Sequence, residues 1–109
     1  MQKLTQGQVD SAMKKLKEWS QVGEAIQRTY QFSDFVTSMK FVDAVAALAE
    51  ADQHHPDILI RYNRVTTTLS THDANGITDK DTGAAAKYDD IAKKLQPAPA
   101  KRPKDKAAG

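Results

Sequence analysis

The chain has 109 residues, 28% of them charged, with no cysteine and a formal net charge of +2. That length bounds it to one small domain with a single modest core, and the missing cysteines exclude a disulfide framework and thiolate metal sites and fit a reducing compartment, cytosol or nucleus. Residues 1–10 hold no apolar run of signal-peptide length, and no stretch nears the roughly 20 apolar residues of a membrane span, so a soluble protein with no membrane partner is expected.

The charge is unevenly spread. Beyond Gln96, Lys101, Arg102, Lys104 and Lys106 stand against Asp105, net +3, so residues 1–96 sum to −1. The basic balance therefore belongs to a short extension, and direct nucleic-acid binding by the body is not expected.

In chain order, Val9, Ala12, Met13, Leu16 and Trp19 recur at three and four positions, which predicts an amphipathic helix over 8–19. From 20 to 32, Val22, Ala25, Ile26, Tyr30 and Phe32 alternate loosely with polar residues around a turn signal near Gly23 or Gln27, predicting two antiparallel strands. Ser33 is the expected N-cap of a long central helix, with Asp34 complementing the dipole. Phe35, Met39, Val42, Ala46 and Ala49 form one stripe of that helix and Phe41, Val45 and Leu48 another, so about half its circumference is apolar. Pro56 disfavours helical geometry at His55 and sets the end near His54.

Ile58, Ile60 and Tyr62, then Val65, Thr67 and Leu69, alternate with polar or outward residues and predict a second hairpin turning at Asn63 and Arg64. Asp73, Asn75 and Gly76 mark a loop, and Thr78 with Asp81 forms a capping box that opens a last helix, with Ala84, Tyr88, Ile91 and Leu95 toward the core. The Pro/Ala/Lys run at 97–109 cannot repay its ordering entropy and is predicted to be disordered, leaving one domain over 1–96. The order α-β-β-α-β-β-α gives an α+β fold of two layers, a four-stranded antiparallel sheet with three helices packed on one face. Partly apolar outer strand faces and the broad helix stripe predict that a second copy covers what one chain leaves open.

All three histidines lie within nineteen positions, framed by acids: Glu50, then His54, His55 and Pro56, then Tyr62, His72 and Asp81. Imidazoles are the groups that take and give protons near neutral pH, so the frame is the candidate active site. Glu50 and His54, four apart at a helix end, are spaced for the carboxylate to reach that ring.

The frame has bland readings too. His54 and His55 alone fit a helix C-cap, Asp81 a capping-box carboxylate, Glu50 a solvated carboxylate and Tyr62 a core residue with a wet hydroxyl. A zinc site is disfavoured because the side chains of adjacent His54 and His55 diverge, and none is expected.

Taken with their spacing, these residues and the stretches QFSDF, AALAEADQHHPDI, YNRVTTTLSTHD and GITDKD resemble the pterin-4a-carbinolamine dehydratases, also known as dimerisation cofactors of a homeodomain transcription factor, over about residues 19–91. The resemblance implies a lyase that dehydrates 4a-hydroxytetrahydropterin to quinonoid dihydropterin in tetrahydrobiopterin recycling, with no metal or redox cofactor. It implies that His54 and His72 are the acid and base on opposite sides of the pterin, and that His55 holds it between them. It places the pterin along Gln53, His54 and His55 and along Ser70, Thr71, His72 and Asp73, with Glu50 and Asp81 in support. A homodimer or homotetramer, a possible protein partner and a cytoplasmic location, or a nuclear one in a eukaryote, are implied as well.

This sequence departs from the family's common pattern at Ile58, where an aromatic often stands, at Gln53, often acidic, and at Lys80, often arginine. A second reading is an interaction module or transcriptional coactivator whose stripe of Phe41, Val45 and Leu48 binds a partner helix.

Overall fold

The structure, a computed structural model, describes residues 2–96; the tail predicted to be disordered lies outside them. Its elements are α1 (Gln6–Met13), β1 (Ser20–Val22), β2 (Ala25–Gln31), α2 (Phe35–Asp52), β3 (Asp57–Arg61), β4 (Arg64–Leu69), a 3-10 turn η1 (His72–Ala74) and α3 (Asp79–Leu95). The strands form one antiparallel sheet in the order β1-β2-β4-β3, as the α+β reading expects. Ile26, Tyr30, Val65 and Leu69 point to one face and meet Phe41 and Val45 of α2 and Ala85, Tyr88 and Ala92 of α3 in the core.

Helix α1 is shorter than its periodicity predicts. Thr5 caps it in a box with Gln8, but regular helix stops at Met13. Leu16 and Trp19 are still buried, because successive turns, with Leu16 N bonded to Met13 O and Trp19 N to Leu16 O, keep the three-residue spacing that a helix face also has. In the first hairpin Val22 pairs with Ala25, and the two-residue turn puts Gly23 at φ +60°, a conformation glycine reaches without steric cost.

The N-cap of α2 is Asp34, not Ser33. Its carboxylate accepts from Thr37 N at 2.8 Å, and hydrogen bonding by Thr37, first through its side chain and then through that N–H, holds the carboxyl below its ordinary pKa. The side of α2 facing the sheet runs through Ser38, Phe41, Val45 and Ala49, which leaves Phe35 and Ala46 of the other predicted stripe exposed. Phe41 and Val45 are wholly buried, Phe41 against Tyr30 and Phe32 with the Tyr30 and Phe41 rings 4.5 Å apart, and Leu48 packs on the same core, so the stripe proposed for a partner helix is core and cannot receive one.

The second hairpin turns at Tyr62 and Asn63, one residue earlier than predicted. Asn63 decides this: its main-chain oxygen accepts from Phe32 N at 2.8 Å and its side-chain amide donates to Phe32 O at 3.0 Å, tying the turn to the start of α2. Tyr62 then takes φ +55° and stands 67% exposed at the tip, not in the core. The outer sheet face carries Gln27, Thr29, Arg61, Arg64, Thr66 and Thr68, with Leu59 on β3 and Val22 at the β1 edge its large apolar side chains, so it is more polar than the alternation predicts.

Candidate active site

The site is built where α2 ends. Gln53 adopts the left-handed conformation at φ 53°, ψ 42°; its N–H donates to Glu50 O at 3.3 Å and His54 N–H donates to Ala49 O at 3.1 Å, the paired bonds of a Schellman cap. This reversal ends helical spacing at Gln53, so the four-residue rule that predicts a Glu50–His54 contact no longer applies. Glu50 Oε2 instead meets His55 Nε2 at 2.5 Å on the surface, and His54 turns inward to Asp81.

The antiparallel register then brings two distant segments together. Asp57 of β3 pairs with Thr68 of β4, so His54-His55-Pro56, entering β3, and Ser70-Thr71-His72, leaving β4, lie at the same end of the sheet. Thr71 pairs with Gly76 across the loop, which holds His72 at the head of η1. Ser70 Oγ donates to Glu24 O at 2.8 Å, and Leu4 N donates to Ile77 O at 2.7 Å, so the first hairpin and the N-terminal segment brace the loop from outside.

Beneath the histidines is a buried polar chain. His54, only 10% exposed, places Nε2 at 2.5 Å from Asp81 Oδ1, and Asp81 is wholly buried. Asp81 Oδ2 accepts from Thr71 Oγ1 and from Thr78 N, each at 2.8 Å. Thr71's one hydroxyl hydrogen is thus used, so in the 2.7 Å Thr71–Thr78 contact the Thr78 hydroxyl donates, and its oxygen in turn accepts from Lys80 N. Every proton in this chain points toward Asp81, as an ionised, acceptor-only carboxylate requires. His54 therefore carries hydrogen on Nε2, and Nδ1 is left as the atom able to exchange a proton.

Asp81 combines two roles that the sequence sets as alternatives: one oxygen completes the capping box of α3, the other orients His54. Periodicity gives no signal for the Thr71 side chain, whose role depends on β4 and α3 meeting. The rings of His54 and His55 diverge, one to Asp81 and one to Glu50. His55 and His72 are exposed. A cavity of about 260 Å³ beside His54 is bordered by Asp52, Asp79, Lys80 and Lys87, with Lys87 bonded to Asp52 at 3.0 Å; neither His55 nor His72 lines it.

This constellation can be set beside known proteins. The family profile described as pterin 4 alpha carbinolamine dehydratase matches residues 2–91. A protein of Thermomicrobium roseum, provisionally named pterin-4-alpha-carbinolamine dehydratase, is 45% identical over 92 residues, covering 84% of this chain and 99% of its own. One of Sulfurisphaera tokodaii with the same provisional name is 42% identical over 91 residues, 84% of this chain and 98% of its own. Among solved structures, a transcriptional coactivator/pterin dehydratase from Brucella melitensis superposes with a TM-score of 0.80 at 40% identity, over 83% of this chain and 98% of the other. A pterin dehydratase-like RuBisCO assembly factor of the alpha-carboxysome gives 0.61 at 26% identity, over 69% and 89%. With the profile spanning nearly all the described residues, and with relatives above 40% identity along almost their whole length, the chain belongs to the pterin 4 alpha carbinolamine dehydratase family.

Proposed function

We propose that this protein dehydrates 4a-hydroxytetrahydropterin to quinonoid dihydropterin by histidine acid/base catalysis, as a step of tetrahydrobiopterin recycling in the cytoplasm. The observation that carries the reading is the buried Thr71–Asp81–His54 chain at the end of the sheet where the two histidine-bearing segments converge.

In the reaction the C4a–O bond breaks, the departing hydroxyl takes a proton to leave as water, and a ring nitrogen gives one up as the C=N bond forms. The net proton count is zero, so one acid and one base suffice. His54, with its tautomer set by Asp81, and His72 fill these roles from the two segments, and His55, braced by Glu50, holds the ring. Gln53 and Ser70 to Asp73 supply the remaining contacts. Since the Thr71 N–H and hydroxyl are engaged by Gly76 and Asp81, those contacts come mainly from its neighbours His72 and Asp73.

The test is the decay of freshly generated 4a-hydroxypterin absorbance. The protein accelerates it, and His54→Ala or His72→Ala lowers the rate by about 10² to 10⁴. No acceleration by the wild type ends the reading.

A homodimer or homotetramer belongs to the same proposal. Edge strand β3 exposes Ile60 at 37%, on the face away from Arg61 and Arg64, and the start of α2 exposes Phe35 and Val36, apolar surface that a second copy would cover. Light scattering that returns a monomer at working concentration removes that part alone.

A further inference from the structure

The end of the second hairpin, remote in the fold from the histidines, holds a charge arrangement that the dehydration does not use. Arg61 and Arg64 are cross-strand partners, and partners in an antiparallel pair project from the same face. Here it is the outer face, because Val65 beside Arg64 is wholly buried on the inner one. Directly opposed Cβ atoms lie about 4.5–5.5 Å apart, and like charges so placed are destabilising. Natural sheets relieve such a pair with a neighbouring acid. Among the described residues neither arginine has an ion pair or a side-chain hydrogen bond to do so, and the one carboxylate on the strands' outer face, Asp57, is four residues down β3 from Arg61, about 13 Å away.

The two arginines border an open groove of about 490 Å³ over the sheet, completed by Thr29, Thr66, Asn63 and Leu59. Between them in sequence, Tyr62 stands exposed at the tip of the two-residue turn, its left-handed conformation being the one such a hairpin requires.

We propose that this outer face is a docking surface for an extended acidic segment of a partner protein, whose carboxylates Arg61 and Arg64 receive. Two guanidinium forks side by side match carboxylates in charge and in bidentate geometry. Leu59, two residues from Arg61 on the same face, gives an apolar contact that a small free anion would not use but a side chain two positions along an extended segment would reach. Nucleic acid fits less well: a body with net charge −1 offers no basic stripe to follow a phosphate backbone beyond these two cations. The surface is separate from the α2 stripe and from the histidines, so the proposal does not depend on the catalytic reading.

Fluorescence anisotropy on the full chain at low salt tests it, with a labelled peptide of alternating glutamate and threonine, its lysine-for-glutamate analogue and a single-stranded oligodeoxynucleotide as probes. The glutamate peptide binds, binding weakens with added salt, and the Arg61→Ala/Arg64→Ala double variant loses at least about tenfold in affinity. That variant folds at least as stably as the wild type, because it relieves the like-charge opposition, and it keeps the rate of 4a-hydroxypterin decay. Arg61→Glu/Arg64→Glu moves the preference to the lysine peptide, while His54→Ala binds the glutamate peptide as the wild type does. Absence of binding, binding that survives both double variants, or a stronger response to the oligodeoxynucleotide overturns the proposal.

Discussion

Thr71 is the residue whose importance is least visible before folding and greatest after it. A threonine in the loop after a β-branched strand gives no periodic signal, yet its hydroxyl donates to the carboxylate that orients His54 while accepting from Thr78. Thr71→Val keeps the shape and removes both bonds. A buried carboxylate then loses one of three donors and the Thr78 hydroxyl loses its acceptor, a cost of about 1–3 kcal/mol in stability. If the chain orients His54, kcat falls while KM stays nearly constant, and Thr71→Ser restores both kcat and stability. Thermal melts beside steady-state kinetics read the two effects separately; a stability loss with kcat untouched would leave Thr71 a structural residue only.

At the scale of elements, what can be read early is what is local. The capping box of Thr78 and Asp81, the arrest of α2 before Pro56 and the alternation of β4 depend on neighbours in sequence, and all are present. The departures have longer-range causes. The turn at Tyr62 is set by Asn63 bonding to Phe32, thirty-one residues away, and Glu50 misses His54 because a left-handed cap intervenes. Nor does periodicity foretell that both predicted stripes of α2 would share one buried face through Phe41, Val45 and Ala49.

The cap itself is open to test. Gln53 holds a conformation that costs an L residue roughly 1 kcal/mol and glycine almost nothing, and its exposed side-chain bond to Glu50 O returns little of that. Gln53→Gly therefore raises stability by about 0.5–1 kcal/mol with the His54–Asp81 contact retained, whereas Gln53→Val, β-branched, lowers it. Denaturant melts compare the pair, and a destabilised glycine variant would mean that the Gln53 side chain, not its backbone, holds the helix end.

The whole molecule is clasped at one carboxylate far from the chemistry. Asp89 Oδ1 on α3 accepts from Trp19 Nε1 at 2.9 Å, from Arg28 at 2.8 Å and from the Tyr30 hydroxyl at 2.5 Å, joining the segment before β1, strand β2 and α3 at a single atom. Arg28 also lies 4.3 Å above the Tyr30 ring, and burial together with the Asp89 carboxylate holds the Tyr30 phenol well above its ordinary pKa, so it stays a donor. Asp89→Ala strands two aromatic donors and a cation of which only 19% is exposed, and breaking such a pair from one side is costly because the other charge remains. The expected loss is about 3 kcal/mol, a fall of roughly 15 °C in Tm for a domain of this size. Asp89→Asn, which keeps one acceptor oxygen in place, loses less. Because Asp89 stands two helical turns beyond Asp81 and touches none of the histidines, the alanine variant assayed well below its own melt keeps the wild-type kcat; a parallel fall in kcat would show that the clasp also sets the position of Asp81 beneath His54.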